Sequence, residues 1–351
     1  VKTEIAARVD IQKRCCAVGE GAGPNTGISR YQRRLDPLDR LRAGLGKSSL
    51  ICNTWAVKRR SSALIGILFA MFVFRGFGQV IASDLAIPEF DQIPTSEAAK
   101  VEPDLRIVRA TLPSVPVDHW NAEFFRVQDG NIDFEIEGIV RVRIPGPDRI
   151  EFQLLDPERE REARLYVTGS AFGAWTFLTG RFPFHCGLVT RGKMGVAITG
   201  PSGAGKSTLT NALVEHGFGF MSDDVVVFDQ PDPATTTIIP SFARIKLWQD
   251  AADHFAIQTQ GLNRLHQEME KFHVPFPQDK IVEHATLGAV FRLKFGEEGE
   301  AVTCRPLSPL EAIRELRANI YRLALVPALD LESDAFELVT NIVKNVPVFE
   351  I

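Results

Sequence analysis

The run Gly200-Pro201-Ser202-Gly203-Ala204-Gly205-Lys206-Ser207, followed at once by Thr208, constrains this chain more than any other stretch. It satisfies the pattern G-x-x-x-x-G-K-[ST] at every required position. Val196 to Thr199 before it is short, apolar and β-branched, and Leu209, Ala212, Leu213 and Val214 after it recur at helical spacing. A strand, a tight loop and a helix start are therefore expected in that order, which calls for an α/β fold. Glycines let such a loop curl at positive φ. The first N–H groups of the helix add donors and a positive dipole end. Gly200 to Thr208 are thus the expected contacts to nucleotide phosphates. Lys206 supplies a mobile positive charge to the β/γ phosphates, and the Ser207 hydroxyl is placed to ligate Mg²⁺. With Gly at ~7% of residues, chance gives the bare pattern in roughly one chain of this length in a hundred. The flanking strand and helix make accident rarer still.

The chain has 351 residues, 45% of them hydrophobic, enough for one or two ordinary cores. Its charge is unevenly spread. Residues 1–70 hold 13 lysines and arginines against 5 acids, whereas 71–351 hold 27 against 39. An acidic main body argues against nucleic acid as the principal partner. The five cysteines (Cys15, Cys16, Cys52, Cys186 and Cys304) show no zinc or disulfide spacing, so a reducing, cytoplasmic setting is expected.

Residues 1–62 carry Gly and Ser clusters and scattered arginines without a sustained period. Gly21 to Gly27 and Gly46-Lys47-Ser48 echo nucleotide loops but miss required glycines. Lys58-Arg59-Arg60 then precedes an apolar run from Ala63 to Phe74, twelve residues where a bilayer span needs ~20. No membrane span is expected. Periodic sequence begins near Met71, so residues 1–70 are expected to be disordered or a non-native upstream extension, with Phe72-Val73-Phe74 as the first strand.

Residues 71–180 read as a β-rich segment. Leu105–Arg109, Phe124–Val127, Ile132–Ile136, Val140–Ile144 and Ile150–Leu154 mostly alternate apolar with polar, suggesting a small antiparallel sheet with one wet face. Residues 158–179 turn helical and end at Gly180. Phe182 to Val189 reads as one strand carrying His185, which is either a packed core histidine or a site residue one strand before the loop. Gly217 to Ser222 is the next strand and ends in Asp223-Asp224, where Mg²⁺ and the γ-phosphate would lie. A solvated turn is the competing reading. Val225–Phe228 and Thr236–Ile239 form a hairpin. Arg244 and Lys246 are cations suited either to transferring phosphate or to plain surface. Residues 256–280 read as polar loop, Leu287–Leu293 and Ala301–Cys304 as strands, and Pro309–Leu325 as a packed helix whose charges form its wet face. Residues 181–351 thus form the expected phosphate-loop domain.

Together, GPSGAGKST (200–208), NALVEHGFGF (211–220) and SDD (222–224) resemble the bacterial HPr kinase/phosphorylase catalytic domain and its related proteins. Segments 74–90, 164–189, 240–248 and 306–322 are similar to the same set. The resemblance implies a phosphate-loop kinase core of the type shared with phosphoenolpyruvate carboxykinase, preceded by the small β-rich segment. It implies ATP and Mg²⁺ as cofactors and phosphoryl transfer to a serine-type hydroxyl of a small protein or peptide. Asp223 is implied as the base, Ser207 with Asp224 near Mg²⁺, and His185 as a phosphate-site residue. The chain departs from that set in three ways: Thr208 stands where those kinases carry glutamate, and their glycine-rich signature and dedicated N-terminal domain are missing. The acceptor is thereby left open between an HPr-like protein and a biosynthetic precursor peptide, and homo-oligomer formation is left open too. A nucleotide-binding regulator with little catalysis and a small-molecule or carboxykinase-like phosphotransferase are the alternatives.

Overall fold

The β-branched, alternating run of residues 72–154 makes a sheet whose one face is closed by a helix, and the phosphate-loop pattern sits in a second sheet. The computed structural model describes residues 72–351 except 89, 99, 242–243, 261, 263–270, 277 and 297–300. The expectation for residues 1–70 lies outside the described residues. Those described all belong to one compact unit, Ala70–Ile351.

The first sheet contains β1 (Phe72–Gly76), β2 (Gln79–Ser83), β3 (Asp91–Gln92), β4 (Leu105–Arg109), β5 (Phe125–Gln128), β6 (Asn131–Ile136), β7 (Val140–Gly146) and β8 (Arg149–Leu154). Among the described residues these eight strands follow the order β3-β1-β2-β4-β8-β7-β6-β5. The five strands expected here are present, but the sheet is neither small nor purely antiparallel. β4 pairs in parallel with both β2 and β8, because the chain leaves β2 and β4 by long connections rather than tight turns. Alternation sends Leu105, Ile107, Val140, Val142, Ile144, Ile150 and Phe152 into the core. The opposite face carries cross-strand ion pairs in register, Asp133 with Arg143 and Glu135 with Arg141.

A helix of three parts covers this sheet: α1 (Glu160–Tyr166), a π turn (Val167–Ala171) and α2 (Phe172–Leu178). Phe172 stacks on Phe77 with centroids 4.9 Å apart, and Trp175 meets the same ring edge-on. The Trp175 Nε1–H donates to the Pro147 carbonyl, so the indole is buried without an unmet donor. Gly180, at φ 72°, ends the segment as its sequence suggests.

The second sheet runs β12 (Gly219–Ser222), β10 (Gly187–Arg191), β11 (Met194–Thr199), β17 (Ala285–Arg292), β14 (Thr235–Ile239), β13 (Val226–Asp232) and β9 (Phe182–Phe184). β18 (Arg305–Pro306) and β19 (Val348–Glu350) attach at β17. β15 (Arg244–Trp248) and β16 (Lys271–Pro275) form a separate ribbon. The phosphate-loop strand β11 lies between antiparallel β10 and parallel β17. Its loop leads into α3 (Lys206–Glu215), which buries Leu209, Ala212, Leu213 and Val214.

Four expectations need correcting. The single strand through His185 is two strands with different partners: β9 pairs with β13, whereas β10 pairs with β11 and β12. β9 and β10 run in the same sense but lie on opposite sides of the β11-β17-β14-β13 block, and His185-Cys186 is the break between them. The loop expected over 256–280 contains β16, whose β-branched and aromatic Phe272 and Val274 are buried against the ribbon's inner face. Ala301–Cys304 forms no strand; the short β18 begins only at Arg305. The helix expected to reach Leu325 stops at Ala318, since Ile320 bridges to Phe184 and the Tyr321 N–H donates to the Pro183 carbonyl. The remaining helices are α4 (Gln249–His254), α5 (Pro309–Ala318), α6 (Leu325–Ala328) and α7 (Glu332–Asn345).

Candidate functional site

Three pieces of chain converge at the end of β11. The first is the loop itself. Gly200, Gly203 and Gly205 all have positive φ (133°, 82° and 90°), and Pro201, Ser202 and Gly203 are exposed. Gly200 is forced as well by space: a Cβ there would lie 2.6 Å from the Leu293 carbonyl oxygen. Gly205 is the left-handed N-cap of α3, so the helix opens with its first N–H groups at the loop. Ala204 and Thr208 complete this stretch. Lys206 is buried, and its ammonium donates to the carbonyls of Gly200 and Pro201 at 2.9 and 3.0 Å. The lysine thus ties the loop across its own mouth.

The second piece is the strand end at β12. Asp223 is 2% exposed, and its carboxylate accepts from the Ser207 hydroxyl at 3.0 and 3.2 Å and from the Lys246 backbone N–H at 3.1 Å. Burial raises the Asp223 carboxyl above its ordinary value, against the lowering effect of these donors. Asp224, at φ 75°, turns its side chain the other way. Its carboxylate meets the Lys246 ammonium at 2.5 Å and His185 Nδ1 at 3.3 Å, and its backbone carbonyl lies 3.0 Å from the same nitrogen. Burial alone would raise this carboxyl, but Lys246 and His185 outweigh it and hold Asp224 well below the ordinary range. Lys246 is raised in turn, its own burial overcome by Asp224.

The third piece is the break at His185. The ring sits 6.3 Å from that of Tyr321, nearly parallel to it. Tyr321 packs against Gly173, where a Cβ would come within 2.5 Å of its ring. Cys186 is fully buried, and burial pushes its thiol up, which makes it a packing residue rather than a nucleophile.

The structure therefore gathers Gly200–Thr208, Asp223, Asp224 and His185 into one place. Of the two cations weighed from sequence, Lys246 belongs to this cluster, while Arg244 donates to the Pro88 carbonyl away from it. Thr199, Arg292, Glu315, Asn319 and Tyr321 were missed. The sequence assigns Glu315 to a helix's wet face, but its side chain is 10% exposed and bonded inward. No sequence period marks it, because two of its partners, Thr199 and Arg292, come from distant segments.

Oxygen donors dominate the cluster. Among the described residues no group of three or more His, Cys, Asp or Glu side chains is gathered to hold a metal. One or two carboxylates and a hydroxyl beside a phosphate loop suit Mg²⁺, which keeps waters and substrate phosphates in the rest of its shell. Among the described residues no helix is long and apolar enough to cross a membrane.

No family model matches this chain. It is 30% identical over 105 residues to the HPr kinase/phosphorylase of Chlorobium limicola, covering 26% of this chain and 32% of that protein. The chain thus matches about a third of that relative's length. A solved structure, that of the Hpr(Ser) kinase/phosphatase from Coxiella burnetii, shares 19% identity over 36% of this chain and 70% of its own, with a TM-score of 0.24. Over those 105 residues the chain is similar to an HPr kinase/phosphorylase.

Proposed function

We propose that this chain is an ATP-dependent kinase that moves the γ-phosphoryl group to a serine-type hydroxyl of a small protein or peptide. The observation that carries this reading is the contact between Ser207, at the helix start under the loop, and the buried carboxylate of Asp223. A phosphate cradle and a pair of acids of opposite electrostatic character meet there. Residues 181–351 act as the catalytic domain, with 71–180 as a β-rich segment before it. The acceptor is an HPr-like protein or a biosynthetic precursor peptide. The two described cysteines, both free, suit a cytoplasmic protein.

In this reading Gly200–Thr208 hold the nucleotide phosphates, through the backbone N–H groups of all but Pro201, and Lys206 turns from its loop carbonyls to the β/γ phosphates. Ser207 and Asp224 hold Mg²⁺, which when bound offsets charge on the phosphates. Asp223, whose burial raises its proton affinity, accepts the proton of the acceptor hydroxyl. His185 stands at the phosphate site against Asp224. Most of the rate comes from positioning and electrostatics rather than covalent chemistry. The Ser207–Asp223 hydrogen bond also favours a second assignment, in which the acids exchange roles and Asp223 shares the metal with Ser207.

The test is transfer from γ-labelled ATP with Mg²⁺ by the full chain, offered HPr and a panel of peptides encoded near its gene. Label on serine, lost in Asp223→Asn, supports the kinase. ATP binding without transfer to any acceptor turns the reading to a nucleotide-binding regulator, and transfer to a metabolite alone turns it to a small-molecule kinase. Absence of ATP binding overturns it.

A further inference from the structure

Glu315 lies on α5, off the loop-and-acid cluster, yet three parts of that cluster's frame meet on its carboxylate. Its Oε1 accepts from the Thr199 hydroxyl at 3.2 Å and from the Asn319 amide at 2.7 Å. Its Oε2 forms an ion pair with Arg292 Nε at 3.0 Å. Each partner leads somewhere specific. Thr199 ends β11, and the next residue is Gly200, where the loop begins. The Asn319 carbonyl accepts the backbone N–H of His185 at 2.8 Å, holding the break between β9 and β10. Arg292 stands opposite Thr199 in the β11–β17 register and also pairs with Glu350 of β19 at 2.9 Å.

An acid four residues earlier on the same helix behaves differently. Glu311 is 44% exposed and closes a capping box with Ser308 at its own helix start, with one outside partner, Arg305 of β18, at 3.2 Å. Glu315 instead spends every described partner on other segments, apart from the adjacent turn at Asn319. Its low exposure strengthens each contact, since the surrounding dielectric is low.

The geometry points to Glu315 as a positioning residue that fixes the phosphate loop, the His185 break and the end of β17 in one frame. Its effect on phosphoryl transfer rests on the kinase reading above; its effect on the frame does not. The carboxylate acts through Thr199 and Asn319 and touches no reacting atom.

The test uses the full chain without ligand and reads amide hydrogen exchange at His185, Gly200 and 202–207, then MgATP affinity by titration. Glu315→Ala is expected to speed exchange at His185 and the loop by about tenfold, since bonds to a charged acceptor are lost. It should weaken MgATP binding by a similar factor. Glu315→Gln keeps one oxygen for Thr199 and Asn319 and should fall between wild type and Glu315→Ala; it also serves if the alanine variant does not fold. Glu311→Ala, which loosens the same helix at its start, should leave both readouts within twofold. Exchange unchanged in the Glu315 variants, or moved equally by Glu311→Ala, overturns the inference. If the wild type binds no nucleotide while Glu315→Ala still loosens the loop, the positioning role stands and the kinase reading falls.

Discussion

The Ser207 hydroxyl donates to the Asp223 carboxylate, 3.0 Å from Oδ2 and 3.2 Å from Oδ1, and so joins the first turn of α3 to the end of β12. The pair holds a buried carboxylate against the start of the helix that follows the loop.

Asp223→Asn should abolish transfer yet stabilise the fold. A carboxyl whose folded pKa lies above its unfolded one favours the native state when protonated, and that contribution is lost as pH rises through the folded value. At neutral pH the ionised Asp223 therefore opposes folding. The variant should melt above wild type at pH 7, with the gap closing as pH falls toward 3.8, the carboxyl's ordinary value. Its transfer rate should drop by ~10² or more, the usual worth of a positioned base.

Asp224→Asn should do the reverse to stability. It leaves the Lys246 ammonium, 15% exposed, without its main counter-charge. The expected loss is about 2 to 3 kcal/mol, below the full cost of breaking a buried pair because both groups keep some solvent contact. Asp224 has a depressed folded pKa, so its contribution is present above 3.8 and disappears as pH falls through the lower folded value. Urea melts of both proteins from pH 7 downward check this: the difference should shrink only in strong acid.

Gly200→Ala should disable the loop without touching a charge. The backbone is left-handed and the Leu293 carbonyl would sit 2.6 Å from the new Cβ. The loop must shift, and MgATP affinity should fall at least tenfold, or about 1.4 kcal/mol. Nucleotide titration with Gly192→Ala, a positive-φ glycine with open space around it, is the control that should keep wild-type affinity.

Glu311 gives an acid-range signature outside the loop-and-acid cluster. Hydrogen bonds from the Ser308 hydroxyl and backbone N–H, aided by Arg305, lower its carboxyl from 4.5 to about 2. The stability it contributes is full above pH 4.5 and lost as pH falls toward about 2. Thermal melts of wild type and Glu311→Gln should therefore differ at pH 6 and converge near pH 2. Removing the cap itself, Ser308→Ala, should cost ~1 kcal/mol at neutral pH and leave nucleotide affinity unchanged.

The local parts of this molecule were legible because their causes are local. The strand–loop–helix around Lys206 follows from glycines, a β-branched run and helical spacing, and Asp223-Asp224 falls at a strand end for the same kind of reason. What escaped reading was set by distant contacts. Periodicity carried the helix beyond Ala318, but Phe184 and Pro183 capture Ile320 and Tyr321 into a bridge instead. Nothing between Phe182 and Val189 signals that β9 and β10 have different neighbours. Glu315 looks like any helix-surface acid until Thr199, more than a hundred residues earlier, is brought to it. Lys246 and Arg244, alike in sequence, are separated only by which neighbour each side chain meets.

The widened turn at Val167–Ala171 bears on which changes the chain can absorb. Beyond it, Phe172 and Trp175 grip Phe77, and Gly173 lies flat against Tyr321, whose ring faces His185. Losing one residue from that turn would rewind the helix regularly but rotate everything after it by about 100°. The aromatic grip and the bare glycine would then face the wrong way together. Point substitutions in the same turn leave that rotational phase intact. Val167, Thr168, Ser170 and Ala171 are buried, so the turn constrains length as well as composition, and a missing residue there would be felt beside Asp224.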